Sequence, residues 1–245
     1  MANAKELFYF DRFYHKGADW YAKQFPDQTD CLRKGEVCHD YLYSEKALHR
    51  IARDLPLDSR FLVTVRAPLD RTVSHYKYLR KIGRTKAPIT EALSTQPQIV
   101  EHSLFGKYVA RAQAILGADR VHVLPFELLK TDPTAFGRAI SDALSIRFLP
   151  DLPYADRVLE AQSARNPAVV RMLRNVGWAV RAVGAPQIVS RVKSNPFVSR
   201  ALFATNAPAP SADLSDHCRA ELNTRFEQDR QLLAACVPNL WRAPS

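Results

Sequence analysis

The 245-residue sequence is poor in cysteine and in long apolar runs, and both shortages narrow what the chain can be. Its four cysteines include no C-x-x-C pair, so neither a zinc site nor a thioredoxin-like centre is indicated. We expect them to be reduced thiols of a cytoplasmic protein. The late apolar run 176–183 contains Arg181 and is too short to cross a bilayer, and residues 1–5 show no signal-peptide pattern, so we expect no stable membrane insertion.

Acidic residues are the scarcer charge, with 25 Asp and Glu against 35 Lys and Arg, which gives a formal net charge of +10. This excess suits an anionic partner such as a nucleotide, an acidic glycan, nucleic acid or a membrane surface, and general surface charge explains it equally well. No RNP-type aromatic motif, zinc finger or heptad zipper occurs, so we predict no nucleic-acid partner. The length and the 47% hydrophobic content predict a single globular domain over residues 1–245, with a mainly helical part at 150–245.

The most informative stretch is a predicted strand followed directly by a predicted helix. The run Phe61–Val65 is apolar and rich in β-branched residues, and Pro68 opens a helix that Gly83 ends. Arg66 follows the strand's carboxyl end, where ligands bind in open α/β sheets. Ser74 lies two turns into the helix. A guanidinium and a hydroxyl at this place fit a phosphate group.

From Val65 to Tyr76 this stretch resembles the segment V-R-x-P-x-x-R-x-x-S-x-Y of sulfotransferases that use 3′-phosphoadenosine 5′-phosphosulfate (PAPS). In that family the arginine and serine bind the 3′-phosphate, so the resemblance assigns this role to Arg66 and Ser74. It implies an α/β, P-loop NTPase-like sulfotransferase fold with a parallel sheet flanked by helices and a helical C-terminal part.

The amino end carries a second resemblance. Residues 5–11 (K-E-L-F-Y-F-D) and 17–26 are similar to the opening of heparan-sulfate-type and related bacterial sulfotransferases. In that group the glutamate faces the acceptor hydroxyl as general base, which makes Glu6 the expected catalytic base. A carboxylate within hydrogen-bond reach can accept the proton that the attacking hydroxyl loses. An isolated Lys-Glu pair would instead be a surface pair.

Residues 35–42 resemble the G-E-K/A-T/S-P-x-Y-L/F segment beside the active site of the same family. The sequence departs from it at Val37, where many relatives have lysine, and at His39, where many have proline. His39 is therefore a candidate acid, base or hydrogen-bond donor, with a structural histidine as the alternative. The missing lysine weakens the case for a heparan-like acceptor.

Two later segments also resemble the family. The segment His102–Tyr108 is similar to S-x-x-x-G-x-Y, with Ser103 expected to cap the following helix and Lys107 a candidate contact to the nucleotide phosphate or to the acceptor. Residues 119–133 are similar to D-R-V-x-V-L-x-F/Y-E-D-L-x-x-D-P and predict a buried strand and a turn, in which Glu127 is structural.

The remaining segments are mostly helical by their periodicity. We predict a helix at 44–55 with Ser44 as its expected cap, and a helix at 134–144 capped by Asp132 or Thr134. Further helices are predicted at 167–183 and 215–237, and loops at 83–97 and 207–212. The apolar stripes of the last two helices are interpreted as core. A solvated face, with an acceptor channel as the alternative, is predicted for the basic residues Arg157, Arg165, Arg171, Arg174, Arg181, Arg191 and Lys193.

No P-K-[SC/GG]-T-[TS] loop, which binds the 5′-phosphosulfate in sulfotransferases, occurs in the sequence, nor does G-x-x-x-x-G-K-[ST]. In relatives this loop lies just upstream of the K-E segment. Its strand would be buried on both faces, and each unpaired backbone group would cost about 1–3 kcal/mol. We therefore expect that Met1 is an internal methionine and that the first strand and phosphate loop are missing. The alternative is a genuine short form that is inactive.

Three functions stay open from the sequence. The first is a PAPS-dependent sulfotransferase acting on a hydroxyl or amine of a small-molecule or glycan acceptor, with PAPS as co-substrate, 3′,5′-adenosine bisphosphate (PAP) as product and no metal. The second is an inactive sulfotransferase-like fragment that binds PAP. The third is a basic binder of nucleic acid or membrane surfaces. The acceptor and the oligomeric state cannot be predicted from the sequence.

Overall fold

A computed structural model describes residues 1–26, 33–156, 163–164, 167–182, 203–204 and 212–240. Its contacts divide the chain into two compact units. The first unit comprises Met1–His39, Val73–Ile99 and Val158–Leu214, and the second comprises Asp40–Thr72, Val100–Arg157 and Ser215–Ser245. The expectation of a single domain stays a prediction.

Strands and helices alternate through the middle of the chain. In chain order the elements are α1 (Ala18–Ala22), α2 (Glu45–Asp54), β1 (Phe61–Val65), α3 (Pro68–Lys81), α4 (Ile89–Thr95), α5 (Gln98–Glu101), α6 (Phe105–Leu116), β2 (Val121–Pro125), α7 (Phe126–Thr131), α8 (Pro133–Ala143), β3 (Ser163–Ala164), α9 (Pro167–Ala182), β4 (Phe203–Ala204) and α10 (Asp216–Cys236).

The second unit is built on a parallel pair of strands. β1 and β2 align from Phe61 opposite Val121 to Val65 opposite Pro125. Val65 is fully buried and belongs to a core cluster with residues of α6 and α10. Within the described residues the parallel sheet has these two strands, so the predicted α/β class with a mostly helical surround is confirmed. The expectation that a first strand and a phosphate loop are missing stays a prediction.

Local sequence signals predicted several of these elements correctly. The predicted strand and the helix from Pro68 are confirmed, and Gly83 follows the helix with a φ of 68°. The Ser44 hydroxyl caps α2 by accepting from Ala47 N at 3.3 Å. Asp132 caps α8 in the same way at 2.8 Å.

The amino end of α6 differs from the prediction. Ser103 does not cap this helix, because its hydroxyl lies fully buried 2.8 Å from the hydroxyl of Thr72. The cap is Asp229 of α10, whose two carboxylate oxygens accept from Gly106 N and Lys107 N at 2.8 Å each. A carboxylate at this end also interacts favourably with the helix dipole. α6 and α10 are thereby joined at one buried point.

The first unit begins with a tight aromatic turn. Tyr9–Phe13 forms one π-helical turn, and Phe13 N donates to the carbonyl of Phe8. Tyr9 stacks on Tyr21 with ring centroids 4.4 Å apart. The adjoining segment 33–39 lies beside the first residues of the chain, since Glu6 N donates to Val37 O at 2.9 Å.

Two further predictions are wrong. The loop predicted at 83–97 contains α4, because Ile89 and Ala92 lie on one face of a helix and are both buried. The stripe of α9 interpreted as core includes Leu173 and Val176, which are exposed by 45% and 50%. Several predicted features lie outside the described residues, namely the loop 207–211, Cys31, Arg157, Arg165, Arg191 and Lys193, as do the side chains of Arg171 and Arg174.

Candidate functional site

Arg66 lies where the predicted phosphate ligand should be, at the turn between β1 and α3. Its side chain is 28% exposed, and its guanidinium lies 5.5 Å from the centroid of the Phe126 ring. Its polar contact among the described residues is a long one, 3.4 Å from Nη2 to Asp70 Oδ2. Its Nε is buried and has no hydrogen-bond partner among the described residues. The backbone of the turn is held from the other side, since Ala67 N donates to Glu127 Oε1 at 3.1 Å. The turn is therefore fixed while much of the hydrogen-bonding capacity of Arg66 is unused.

Ser74 lies on the exposed face of α3, within the part of the helix that belongs to the first unit. The neighbouring motif residue Tyr76 is fully buried, and its hydroxyl donates to the carbonyl of Ala87 at 2.9 Å. In the second unit, burial raises the pKa of Tyr43, and a hydrogen bond from Arg71 opposes that rise. Tyr76 and Arg71 thus have structural contacts, whereas the Ser74 hydroxyl is at the surface.

Glu6 is set in an unusual backbone. Its φ is 57° and that of Phe8 is 54°, both in the left-handed region that non-glycine residues seldom adopt. Such conformations cost on the order of 1–3 kcal/mol each and occur most often at functional sites. The Glu6 side chain is 31% exposed, so its carboxylate is accessible from solvent. The backbone thus presents a partly exposed carboxylate from a fixed turn.

His39 and Glu6, predicted separately as candidate catalytic residues, are neighbours in the first unit. His39 Nδ1 lies 3.1 Å from Glu6 Oε1, and the His39 side chain is 62% exposed. Its ring also meets Phe8 edge-on, with centroids 6.2 Å apart. A pair of this kind can share a proton at hydrogen-bond distance.

Arg181 of α9 completes this group, and the sequence reasoning missed it. Its Nη2 lies 3.9 Å from Glu6 Oε2, and its side chain is only 8% exposed. The interpretation of Arg181 as part of a solvated face is therefore wrong, because its guanidinium packs against the rings of Phe8 and Trp178 at 5.6 and 5.5 Å. Burial lowers the pKa of Arg181, and the Glu6 carboxylate opposes that shift. The only signal in the sequence was its place inside an otherwise apolar run.

Glu36, the glutamate of the G-E segment, supports the aromatic turn. The hydroxyl of Tyr21 donates to Glu36 Oε1 at 3.1 Å. Burial and the Glu36 carboxylate raise the pKa of Tyr21 well above its usual range. The contact ties segment 33–39, which includes His39, to α1.

Lys107 belongs to the second unit and lies at the amino end of α6. Its Nζ lies 3.4 Å from Glu101 Oε2, and its backbone N donates to Asp229. The helix end beside it therefore already holds a carboxylate. A role of Lys107 in binding phosphate or acceptor stays a prediction.

The described residues contain no group of three or more His, Cys, Asp or Glu side chains arranged to hold a metal ion. Cys218 and Cys236 are free thiols of intermediate burial. In the described ranges, none of the helices is both long and apolar enough to cross a lipid bilayer.

Two curated proteins that the chain resembles are both sulfotransferases. The chain is 29% identical over 91 residues to membrane-associated sulfotransferase kil1 of Dictyostelium discoideum, which covers 36% of this chain and 19% of that protein. It is 26% identical over 153 residues to heparan sulfate glucosamine 3-O-sulfotransferase 3A1 of Mus musculus, which covers 58% of this chain and 38% of that protein. The matches thus span well under half of either relative. No protein-family model matches the chain.

A sulfotransferase of Alicyclobacillus acidocaldarius has a similar fold, with a TM-score of 0.62 and 17% identity over 96% of this chain and 84% of that one. At this identity the likeness shows the fold alone. The two curated matches and this shared fold together support placing the chain in the sulfotransferase family.

Proposed function

We propose that the chain is a PAPS-dependent sulfotransferase that transfers a sulfonate group to a hydroxyl or amine of an acceptor, which we expect to be a carbohydrate. The observation that supports this most directly is the setting of Glu6. Its two carboxylate oxygens have separate partners, His39 at 3.1 Å and Arg181 at 3.9 Å, on a turn with left-handed backbone at residues 6 and 8. A partly exposed, oriented carboxylate is what a general base for an attacking hydroxyl requires.

The nucleotide role of Arg66 is supported by its unused donors. A buried N–H without a partner is costly, and an anion that accepts from it removes the cost. Guanidinium groups bind phosphate with two parallel hydrogen bonds, which suits the 3′-phosphate of PAPS. We propose that Arg66 and Ser74 bind this phosphate. The backbone contact from Ala67 to Glu127 keeps the turn that carries Arg66 in place.

In the proposed reaction the acceptor oxygen attacks sulfur in line with the bond to the bridging phosphate oxygen. The new oxygen–sulfur bond forms as the bridging bond breaks, and PAP leaves with that electron pair. Glu6 takes the acceptor's proton and passes it to solvent, with His39 as the exposed partner that shares it. Correct positioning of the two reactants supplies much of the rate gain.

The reaction can be tested with radiolabelled PAPS and a panel of glycans and small alcohols. We expect label on at least one acceptor, and Glu6→Gln, which keeps the size of the side chain, should lower kcat by about 100-fold or more, the typical contribution of a general base. Glu91→Gln, a change at the exposed surface of α4, serves as the control and should keep full activity. Full transfer by Glu6→Gln would contradict the assignment of the base.

The second candidate is a sulfotransferase-like protein that binds PAP without turnover. It is favoured by the absence of the phosphosulfate-loop motif from the sequence. PAP binding that depends on Arg66, together with no transfer to any acceptor of the panel, would support this candidate over the enzyme.

A further inference from the structure

We propose that Arg181 is a positioning residue for Glu6, which keeps the Glu6 carboxylate ionised and fixes its orientation from the far helix α9. This inference deepens the proposed function and rests on it for its catalytic meaning. The contact itself is a property of the first unit, so it can be tested without turnover.

The two carboxylate oxygens of Glu6 contact different partners. His39 Nδ1 lies 3.1 Å from Oε1, and Arg181 Nη2 lies 3.9 Å from Oε2. The His39 contact is at hydrogen-bond distance and the Arg181 contact is an ion pair, so each oxygen has its own partner and rotation of the carboxylate would break both contacts.

The Arg181 side chain is itself fixed by its packing. Its side chain is 8% exposed and lies against Phe8 and Trp178, whose rings are 5.0 Å apart. Phe8, like Glu6, has a left-handed backbone, so the turn that orients Glu6 also forms part of the packing surface of Arg181. Because the guanidinium is buried, it cannot reach an acceptor in solvent as the 31%-exposed Glu6 side chain can. Its effect must therefore act through Glu6.

The positive charge of Arg181 also favours the ionised form of Glu6. A cation within about 4–6 Å favours the charged form of a carboxylate. A general base must be ionised before it can accept a proton. The positive charge of Arg181 therefore extends to lower pH the range over which Glu6 is ionised and can act as the base. Among the described residues, Glu6 is the only acidic side chain that lies within ion-pair distance of Arg181.

Other charged or titratable groups surround the pair and are part of the expectation. His39 faces Glu6 directly, and Cys38 lies near Arg181. Arg12 stacks on Phe8 and Trp178 at 4.8 and 4.4 Å and is paired with Asp11 at 3.3 Å. Lys5 precedes Glu6 in the chain. Of these groups, Arg181 is the buried cation in contact with the carboxylate.

The first test follows the Glu6 carboxyl by NMR in the full chain labelled with ¹³C-glutamate, with Glu6→Gln used to assign the resonance. Arg181→Gln should raise the midpoint of the Glu6 titration by about one pH unit or more. Arg181→Lys keeps the charge and should recover at least half of the wild-type shift. Arg84→Gln removes the same charge from an exposed place in the first unit and should leave the midpoint unchanged. An unchanged midpoint in folded Arg181→Gln would overturn the inference.

A second measurement uses the wild-type chain, so it does not depend on how Arg181→Gln folds. The Nε–H resonance of Arg181 should titrate with the same midpoint as the Glu6 carboxyl, and this titration should vanish in Glu6→Gln. An Arg181 resonance that ignores the ionisation of Glu6 would equally overturn the inference.

The pH dependence of kcat/KM separates this inference from the proposed function. If both hold, the acidic limb of the profile moves to higher pH in Arg181→Gln by the same amount as the NMR midpoint. If Glu6→Gln stays fully active while the NMR coupling is present, the positioning contact stands and the assignment of the base fails. If Glu6→Gln is inactive and the coupling is absent, the base stands and the role of Arg181 fails.

Discussion

The arginine side chains of this protein differ in how fully neighbouring groups accept their hydrogen bonds. Arg71, Arg80 and Arg120 each donate to a hydroxyl or a backbone carbonyl. Arg66, Arg111 and Arg181 instead each keep a buried Nε without a partner among the described residues. Buried donors are almost always satisfied in folded proteins, and two of these three exceptions, Arg66 and Arg181, belong to the candidate site.

His122 gives a residue-scale prediction for the second unit. Burial lowers its pKa, and Arg60, whose Nη1 lies 3.2 Å from His122 Nε2, lowers it further. Arg60→Gln should therefore raise the pKa of His122, as measured by NMR titration of the ring protons. Arg84→Gln serves as the control for loss of one positive charge.

The contact between Arg60 and His122 also makes the stability of the fold depend on pH. The depressed pKa means that the unfolded chain binds a proton more readily than the folded one, so stability is lost as pH falls through the pKa of folded His122. Arg60→Gln should reduce that loss in urea melts taken across this range. A His122 titration that is identical in wild type and Arg60→Gln would contradict the role given to Arg60.

At the scale of elements, the contact between α6 and α10 depends on two residues. Asp229 satisfies two backbone N–H groups at the start of α6. A Cβ atom added to Gly106 would collide with the backbone carbonyl of Asp229, so only glycine permits this approach. Burial of Phe226 and Leu233 on either side of Asp229 places the carboxylate within the apolar stripe of α10.

Asp229→Ala should lower the free energy of unfolding by about 2–3 kcal/mol, because it leaves the buried Gly106 N–H and the partly buried Lys107 N–H without their charged acceptor. Gly106→Ala should cost about 1–3 kcal/mol through overpacking against α10. Both values follow from urea denaturation monitored by tryptophan fluorescence and circular dichroism.

Matched controls exist for both changes. Asp216→Ala removes an exposed carboxylate from the first turn of the same helix. The Cβ of Gly35→Ala would meet only Met1 Sδ at 3.7 Å. Each control should shift stability by less than about 0.5 kcal/mol, as exposed changes usually do. Equal effects in Asp216→Ala and Asp229→Ala would contradict the capping role.

These elements show what the sequence could predict. β1, α2, α3 and α8 follow from signals within a few residues: β-branched runs, a proline at a helix start, and Ser or Asp caps. The cap of α6 could not be predicted locally, because its acceptor is Asp229, which lies far along the chain in α10. The helix α4 was missed because proline and glycine near its ends outweighed the buried pair Ile89 and Ala92.

For the candidate site too, some features could be predicted from the sequence and others required the structure. Resemblance to the family assigned roles to Glu6, His39, Arg66 and Ser74, and these residue roles stay predictions. The contact between Glu6 and His39 needed the structure, because it depends on segment 33–39 lying beside the first residues. Arg181 was missed because a basic residue on an amphipathic helix usually faces solvent, and only packing against Phe8 and Trp178 reveals its burial.

At the scale of the whole molecule, the proposed function requires the chain, with its formal net charge of +10, to bind one specific anionic nucleotide rather than anions in general. A general basic binder would lose affinity steeply with salt and would not depend on any one arginine. The proposed sulfotransferase site depends on Arg66, whose Nε is buried without a partner among the described residues.

The most direct test is a calorimetric titration of PAP into the purified 245-residue chain, with Arg66→Ala and Arg60→Ala in parallel. Arg60 precedes the same strand and is exposed, so its loss controls for charge alone. We predict micromolar binding by the wild type and by Arg60→Ala, and binding weaker by about 10- to 100-fold in Arg66→Ala, the worth of hydrogen bonds to a charged group. Binding that is absent from the folded wild type, or equal in Arg66→Ala, would contradict the account.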